Sequence, residues 1–468
     1  MHCYKSPTSD ARLGVFRISI ALIFSLSASM AQTTNFSFSD EQPAEAQQGV
    51  APHAPVTLSL KDALALAEKN DPGVLAATSD AASAREDRNQ AQAAIYPSLA
   101  GRSEYLGTQG NGKLPSGRFV TNDGVHVYRE WAVVHQDLSP GTFKRTGVQR
   151  AEAAAALARA RLEIARRGLA ATVTKNYYTL IATQRKYAIA QQSLDQAQRF
   201  LTISQELERG REVAHSDVVK ATLQENTQEQ ALQEATLGME SARLDLAVLL
   251  FRSFDENFTV VDDLDGAPAL PPLPEVEVMA SRENPTLGAA MQALRSASLD
   301  VSIARQAYLP TLTVDAVYGL EANSLALHST VAANKEVGAV PNLGYFVTAS
   351  LNIPIWDWGV RRSKVRQAEI KREEAAVDLS LAQRTLIRNL RGAYNEAQTA
   401  RQQVDLQRRA VDMSSESLRL NTLRYRAGEA TILELVDAQS ALSQARNAFS
   451  DGMVRYRIAI YPRINKGT

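Results

Sequence analysis

The chain contains an internal duplication, and this feature constrains its fold more than any other. Pro72 corresponds to Pro285 at an offset of 213 residues, and Gly210 corresponds to Gly428 at an offset of 218, so the second copy contains a loop-sized insertion. Each copy of a repeat has to bury its apolar face against its neighbour. The duplication therefore predicts two interlocked half-units that form one quasi-symmetric object.

Each copy contains a long stretch without proline, at 141–267 and at 355–461. Proline costs about 3 kcal/mol inside a helix, so its absence from two matching stretches indicates very long helices. One break interrupts each stretch, at Gly210 and at Gly428, where glycine is expected to supply the left-handed turn that ends a helix. Spaced apolar residues among Ala, Arg and Gln favour antiparallel coiled coils, with a self-contained helical bundle as the alternative.

A different pattern precedes each long stretch. Apolar and polar residues alternate along 311–320 and again along 345–353, which predicts a β-hairpin at about 311–353. The first copy offers a matching hairpin at about 98–138 with a less regular alternation. Strands of about ten residues suit an outer-membrane barrel. Four strands cannot close a barrel, and an open edge in lipid leaves unpaired backbone groups, so membrane insertion would require several chains.

The N-terminus predicts export. Residues 1–31 combine basic residues, a short apolar run and a small-residue site, which indicates a signal peptide cleaved after Ala31; a short membrane anchor is the alternative. The only cysteine, Cys3, lies in this segment, so no disulfide is expected beyond it. No other run of 18 apolar residues exists, and membrane insertion is therefore expected to use strands. The balance of 51 basic and 51 acidic residues gives no footprint for nucleic acid.

The sequence thus predicts two repeats, each with a helix, a β-hairpin, a long helix, a tip turn near Gly210 or Gly428, and a returning helix. The predicted segments are a signal peptide (1–31), a flexible segment (32–55), the first repeat (56–267), a Pro-rich hinge (268–285), the second repeat (286–462) and a tail (463–468).

Two segments carry a family resemblance. Tyr425–Gln439 (YRAGEATILELVDAQ) and Pro354–Arg362 (PIWDWGVRR) resemble the TolC family of outer-membrane efflux proteins. The resemblance implies a mainly α fold with a membrane β-barrel, in which long coiled-coil helices form a periplasmic α-barrel. It also implies a homotrimer in which four β-strands per chain form a shared 12-stranded barrel in outer-membrane lipid.

In function, the resemblance implies a passive exit duct of a tripartite efflux or type I secretion system. Its partners would be a periplasmic adaptor and an inner-membrane pump, and its location would be the outer membrane with a long periplasmic extension. Drug, metal and protein cargo remain equally open. The alternative from another class is a periplasmic coiled-coil scaffold or adaptor without a pore.

The second tip turn supplies the gate candidates. Glu434 and Asp437 lie three residues apart and share a helical face, so a trimer would place six carboxylates around the mouth. Such crowding would favour cations. Glu434 with Thr431 also fits a capping box, which is an equally open interpretation. Tyr425 matches a family tyrosine that holds hairpins closed, with coiled-coil packing as its alternative. Ala430 stands where the family's best-known member has an arginine, so the closing network is expected to differ and to use Arg424 or Arg426.

The first tip turn supplies candidates for adaptor contact, by the same resemblance. These are Val213, Ser216 and Asp217, together with the turn residues Gly210 and Gly428; for Ser216 a helix cap is the alternative. Trp131, Trp356 and Trp358 lie near strand ends, where an interfacial aromatic belt would form. For the last two, packing at the junction of barrel and helix is the preferred alternative.

Catalytic patterns are missing from the sequence. It has no phosphate loop, dinucleotide glycine pattern, nucleophile elbow or zinc-helix motif. Its six histidines are scattered and offer no pair at metal-ligand spacing. We therefore expect no enzymatic activity, no cofactor and no metal site.

Overall fold

The computed structural model describes residues 56–108, 125–252, 257–266, 269–322, 324–328, 336 and 338–464. This part of the chain is mostly helical with few strands, which confirms the predicted fold class at that level. The predicted signal peptide (1–31), the predicted flexible segment (32–55) and residues 465–468 of the predicted tail lie outside the described residues. Among the described helices, none has the length and apolar composition needed to cross a membrane.

The two repeats contain matching elements. The first comprises β1 (Val56–Leu58), α1 (Leu60–Asn70), α2 (Pro72–Ala93), β2 (Ser98–Thr108), β3 (Val125–Asp137), α3 (Pro140–Phe143), α4 (Thr146–Arg209), α5 (His215–Leu250) and β4 (Phe258–Val260). The second comprises α6 (Leu273–Glu283), α7 (Pro285–Gln306), β5 (Thr311–Ala322), β6 (Leu343–Asn352), α8 (Val360–Arg426) and α9 (Ile432–Ile464). At 1.5 Å per residue, α4 and α8 each extend about 100 Å.

The boundary between the repeats, predicted as a Pro-rich hinge at 268–285, contains a helix. Helix α6 lies inside it, and both of its ends are 213 residues after the ends of α1. Pro272 is the N-cap of α6 and Pro274 lies in its first turn. Proline is tolerated there because the first N–H groups of a helix have no intrahelical partner. At the other end of the repeat, α9 continues to Ile464, into the predicted tail.

A capped proline separates the first two helices of each repeat. Asp71 accepts a hydrogen bond from the Val74 N–H at 2.7 Å, and Asn284 accepts one from the Leu287 N–H at 2.9 Å. The following proline is the first residue of the new helix in both cases. An Asx cap before proline starts a helix with a defined change of direction, which explains why this dipeptide recurs.

Helix α4 connects the two repeats. It packs against α2 and α5 of its own repeat and against α7 and α9 of the second, whereas α8 packs against α7 and α9. In the half of the helical region next to the sheet, neighbouring helices follow the order α2–α4–α7–α8. In the half next to the tip turns, the order is α5–α4–α9–α8. Helix α8 is therefore the last helix on one side, and α2 and α5 are the last on the other.

The main apolar core surrounds Tyr177 of α4, close to the short parallel sheet that β1 forms with β4. The buried Tyr177 hydroxyl donates to the carbonyl oxygen of Val261 at 2.8 Å and lies 3.2 Å from that of Leu58. Burial, followed by the charge of Asp263, raises the pKa of Tyr177 to about 12. This residue fixes the small sheet to the long helix.

The four long strands form one antiparallel sheet in the order β2–β3–β5–β6. Residues opposite each other across paired strands project from the same face. One face, here called the apolar face, is largely apolar and aromatic; it includes Leu99, Tyr105, Tyr128, Val134, Ala316, Tyr318, Tyr345, Val347 and Leu351. The other, here called the charged face, includes Arg102, Glu104, Arg129, His135, Asp315 and Glu321. Strands β2 and β6 are the open edges of the sheet.

Candidate functional site at the tip turns and the sheet

Both long helices end in the same hydrogen-bonded turn. The Glu212 N–H donates to the Leu207 carbonyl oxygen at 2.9 Å, and the Glu429 N–H donates to the Arg424 carbonyl oxygen at 2.8 Å. These six-residue closures are Schellman motifs, which satisfy carbonyl groups that a helix end leaves open. The two tips are thus built alike.

The left-handed residue of this turn is Gly428 at the second tip, with φ 73°. At the first tip it is Arg211, with φ 61°, whereas Gly210 has φ −73°. The prediction that Gly210 supplies the left-handed conformation is therefore wrong, because the turn closes one residue later. The equivalent positions are Arg211 and Gly428, at an offset of 217.

Tyr425 connects the two helical hairpins of the chain. Its side chain is only 5% exposed, and its ring packs at 5.2 Å from that of Phe200 on α4. The hydroxyl lies 3.3 Å from the Ser204 hydroxyl, also on α4. Ala430 packs against the same cluster. Packing inside the chain therefore accounts for the burial of Tyr425, and any movement between the hairpins at this level must disturb it.

Glu434 makes two kinds of contact. It forms the capping box with Thr431: the Thr431 hydroxyl donates to Glu434 Oε1 at 3.2 Å, and the Glu434 N–H lies 3.4 Å from Thr431 Oγ1. The other carboxylate oxygen pairs with Arg424 Nη1 at 3.1 Å. Arg424 also donates to the carbonyl oxygen of Glu429 at 3.2 Å. Arg424 thus joins the end of α8 to the start of α9, in a chain that has Ala430 where the family arginine was expected.

Asp437 lies on the exposed side of α9, three residues after Glu434. The buried residues of this turn, Ile432, Leu435 and Ala438, face the hairpin instead. Asp437 forms no ion pair with any described residue. Of the two carboxylates, it alone has both oxygens available to ions or to another chain.

The adaptor candidates at the first tip surround the start of α5. Ala214 is the N-cap and makes no side-chain bond, and Ser216 is the second helical residue, so the interpretation of Ser216 as a helix cap is wrong. Val213 is half-buried, and Asp217 lies in the first turn, where the helix dipole favours an acid. His215 Nδ1 lies 2.7 Å from Glu208 Oε1, across the turn.

An ion-pair row crosses the charged face of the sheet. Arg129 on β3 pairs with Glu104 on β2 at 2.9 Å and with Glu321 on β5 at 3.0 Å. Arg102 pairs with Glu104 at 2.9 Å. Sequence reasoning missed this row because Arg129 and Glu321 are 192 residues apart. The sequence did offer one indication of these ion pairs, which is that opposite charges occupy alternating positions of the strands.

The tryptophans separate into two groups. Trp131 lies on the charged face, with the Arg129 guanidinium 5.2 Å from its ring and the Phe346 ring at 5.6 Å. The prediction that Trp131 lies near a strand end, in an interfacial belt, is wrong, because it is the middle residue of β3. Trp356 and Trp358 contact each other, with ring centres 5.7 Å apart, and both are exposed. The junction packing preferred for them is thus not found among the described residues.

Comparison with known proteins decides the family. The model described as "Outer membrane efflux protein" matches residues 63–250 and 278–459. The chain belongs to the outer membrane efflux protein family. This match confirms the resemblance to TolC that the sequence indicated.

Curated relatives match parts of this outer membrane efflux protein. It is 26% identical over 310 residues to the cobalt-zinc-cadmium resistance protein CzcC of Cupriavidus metallidurans, covering 65% of this chain and 69% of CzcC. It is 28% identical over 283 residues to the pyoverdine export outer membrane protein OpmQ of Pseudomonas putida, covering 59% and 56%. With the outer membrane protein TolC of Escherichia coli it shares 26% identity over 156 residues, 33% and 32% of the two chains. The matches to OpmQ and TolC thus span less than two thirds of those relatives.

Solved structures show the same fold. The Campylobacter jejuni CmeC outer membrane channel superposes with a TM-score of 0.74 at 18% identity, covering 86% of this chain and 84% of that one. The outer membrane protein VceC of Vibrio cholerae gives 0.71 at 17% identity, covering 86% and 95%.

The family fixes two further points for this efflux protein. Its relatives are TolC-like channel proteins, which are not enzymes. The predicted location, the outer membrane with a long periplasmic extension, is confirmed.

Proposed function

We propose that this efflux protein is the exit duct of a tripartite efflux or type I secretion system. Three copies would share a 12-stranded barrel in the outer membrane and a tube of long helices in the periplasm. The duct would conduct passively whatever an inner-membrane pump delivers through a periplasmic adaptor. Relatives named for metal resistance and for pyoverdine export match equally well, so cargo choice is assigned to the pump.

The observation that carries this proposal is the four-stranded sheet with one apolar face and two open edges. In lipid, each unpaired backbone group of β2 and β6 would cost several kcal/mol. Pairing β6 of one chain with β2 of the next satisfies both edges. Such head-to-tail contacts close into a ring when the rotation allows it. The apolar face would then meet lipid, and the charged face would line the water-filled interior.

The last helices on each side supply a second line of support. Exposed leucines recur at heptad-related spacings on α5, at Leu223, Leu237 and Leu244, and exposed apolar residues do so on α8, at Leu406, Met413 and Leu420. Heptad stripes of this kind pack against a partner helix. Helix α5 carries six acidic and two basic residues, whereas residues 401–426 of α8 carry six basic and three acidic ones. A seam between α5 of one chain and α8 of the next would pair these charges.

At the tips, we assign gating to the second turn and adaptor contact to both turns. Glu434 and Asp437 from three chains would form a ring of carboxylates at the mouth, and Tyr425 with Arg424 would keep each hairpin in its closed position. The adaptor would contact Gly210, Val213, Ser216 and Asp217 of the first turn and Gly428 of the second. The exposure of Asp437 and the Arg424–Glu434 pair support this assignment.

Reconstitution tests the duct. We expect the purified mature protein to need detergent, to run as a heat-modifiable trimer, and to give stepwise conductance in planar bilayers that is blocked by trivalent cations from the tip side. A water-soluble monomer without conductance would contradict the proposal and favour the pore-free scaffold or adaptor.

The gate is tested with variants that spare the cap. Glutamine can replace glutamate in a capping box, so Glu434→Gln removes the charge and keeps the cap. Asp437→Asn touches no described partner. We expect the double variant to lose block by trivalent cations and preference for cations, while Glu225→Gln with Glu229→Gln on α5, which also removes two carboxylates per chain, changes neither. Block that persists in the double variant would exclude the ring.

A further inference from the structure

Each repeat makes a sharp corner where its sheet ends and its long helix begins. Corner 1 comprises residues 138–145, and corner 2 comprises residues 353–359. Each contains a left-handed residue that is not glycine: Arg145 with φ 49° and Trp358 with φ 56°, at an offset of 213. Both long helices thus begin directly after a left-handed residue, which is Arg145 before α4 and Gly359, with φ 86°, before α8. Large side chains rarely adopt this conformation, and where they do, function is a common reason.

The aromatic side chains of the corners are exposed. Phe143 in corner 1 is 72% exposed, and Trp356 in corner 2 is 73% exposed. Trp358 reaches 88%. Among the described residues, the two indole rings contact each other. Exposed aromatic clusters of this kind on a folded chain indicate an interaction surface.

Hydrogen bonds hold corner 2 in this arrangement. Asp357, between the two tryptophans, accepts from the Gly359 N–H at 3.1 Å and from the Arg361 N–H at 2.9 Å. It also pairs with the Arg361 side chain at 3.3 Å. The carboxylate therefore folds the backbone so that both indoles project outward, and they are ordered before any partner arrives.

Basic residues without acidic partners accompany the aromatic ones. Lys144 and Arg145 lie in corner 1, and Arg362, Lys364 and Arg366 follow corner 2 in the first turns of α8. All are exposed, and none forms an ion pair with a described residue. Aromatic rings next to unpaired cations suit a partner that is apolar on one side and anionic on the other.

We propose that the two corners bind the phosphate-bearing headgroups of anionic phospholipids in the leaflet that faces the periplasm. The site rests on the proposed function, because it needs the apolar face of the sheet in lipid. Both corners directly follow a strand end at the helical edge of that face, which is the level of the headgroups. The indoles would enter the interface, and the cations would bind phosphate. A trimer would carry six such corners.

Tryptophan fluorescence tests the proposal. The chain has three tryptophans, so a Trp131→Phe variant reports only Trp356 and Trp358. The full protein in this background is placed in nanodiscs of phosphatidylcholine, with brominated phosphatidylglycerol or brominated phosphatidylcholine added in equal amounts. Bromine near the headgroup is compared with bromine deep in the chains. We expect strong quenching by shallow bromine, and more from phosphatidylglycerol than from phosphatidylcholine.

The cations are tested in the same background. We expect Arg362→Gln with Lys364→Gln to reduce the preference for phosphatidylglycerol, by about fivefold for each cation removed. The matched control, Lys371→Gln with Arg372→Gln, removes the same charge about 13 Å further along α8 and should leave the preference unchanged. Inorganic phosphate should not compete at millimolar concentration if headgroups in the membrane are the ligand.

Three results would overturn the proposal. Quenching by acrylamide alone would place the corners in water, and no quenching by any agent would place them against a sister chain. Equal quenching by both lipids would leave an aromatic anchor without headgroup recognition. Trimer formation and conductance are recorded on the same samples, so a failure of the duct itself is distinguished from a failure of the lipid site.

Discussion

The left-handed residues of the two tip turns, Gly428 and Arg211, differ in their effect on the stability of the fold. Gly428 adopts its left-handed conformation without steric penalty, whereas Arg211 places a Cβ in the same conformation. For a residue with a Cβ this costs roughly 1–2 kcal/mol. The first tip therefore keeps an arginine side chain at a position where glycine would be more stable, which is consistent with a surface that contacts a partner.

Replacing Arg211 should reveal this cost. We expect Arg211→Gly to raise the free energy of unfolding by about 1 kcal/mol, because the steric penalty disappears and is only partly offset by the chain entropy of glycine. Gly428→Arg, the reciprocal variant, should lower it by a similar amount. Denaturant titration of the detergent-solubilised protein measures both. Equal effects of the same sign would contradict the assignment of the left-handed positions.

Tyr177 makes stability depend on alkaline pH. Its pKa is raised to about 12 in the folded chain, from an ordinary value near 10, so the folded state holds this proton more tightly than the unfolded state. The stabilisation is complete below pH 10 and is lost as the pH rises towards 12. We expect the unfolding midpoint to fall over this interval, and to fall less steeply in Tyr177→Phe. At pH 7 this variant should be about 1–2 kcal/mol less stable, because the Leu58 and Val261 carbonyl groups lose their donor. An unchanged slope would argue against the role of Tyr177.

Helices were the elements most accessible from sequence, and strand faces the least. The proline-free stretch that starts at residue 141 and its break at Gly210 predicted one long helix between them, and α4 spans Thr146–Arg209. Helix α6 was hidden because its prolines, which look like breakers, lie in its first turn. The sequence assigned no face to Trp131, because the less regular alternation of β3 does not say which face this residue occupies. The ion-pair row depends on a register between the two repeats that no local pattern encodes.

At the tips, the sequence predicted one local contact of the candidate residues but not their contacts across the chain. Thr431 and Glu434 do form a capping box, because that motif is local. The contact between Tyr425 and Phe200 joins residues more than 200 positions apart and needed the folded chain. The pair between Arg424 and Glu434 crosses the turn, so it depends on how tightly the turn closes.

The junction between β3 and β5 is the only strand pairing between the two hairpins within the described residues, and Gly319 permits it. A Cβ at this position would overlap the Glu130 carbonyl oxygen and lie 2.8 Å from the Trp131 Cα. We expect Gly319→Ala to cost about 3 kcal/mol and to reduce the yield of heat-modifiable trimers in the outer-membrane fraction. Gly344, the β6 partner of Gly319, has open space where a Cβ would lie, so Gly344→Ala is the matched control. Equal yields for the two variants would contradict the close approach.

A single chain leaves apolar surface uncovered, and assembly of several chains has to bury it. The outermost helices and strands of the chain leave the same two sides unpartnered: β6 and α8 on one, β2, α2 and α5 on the other. A contact that pairs only the strands would leave the heptad stripes of α5 and α8 in water. One head-to-tail contact that runs the full length of the chain covers both, which is why barrel and helices are expected to close together.

Disulfide cross-linking tests this seam directly. Ala221 of α5 and Tyr425 of α8 belong to one buried cluster, which puts the two helices at a common height near the tips. Helix α5 runs away from the tip and α8 runs towards it, so Leu237 and Leu406 lie at similar distances from the tip, about one helical turn apart along the helix axis. The same difference applies between neighbouring chains if the symmetry axis runs parallel to the helices. The only cysteine, Cys3, lies in the predicted signal peptide, so Leu237→Cys with Leu406→Cys introduces the reactive pair.

We expect this double variant to form covalent dimers and trimers on non-reducing gels, and to lose them on reduction. Leu237→Cys with Leu420→Cys is the matched control. Residue 420 is 14 positions further along α8, which puts it about 16 Å from the height of Leu237, well beyond the roughly 7 Å that a disulfide can bridge between Cα atoms. If the control pair cross-links as readily, or if the first pair closes only within one chain, α5 and α8 do not form the seam and the ring must close through other helices.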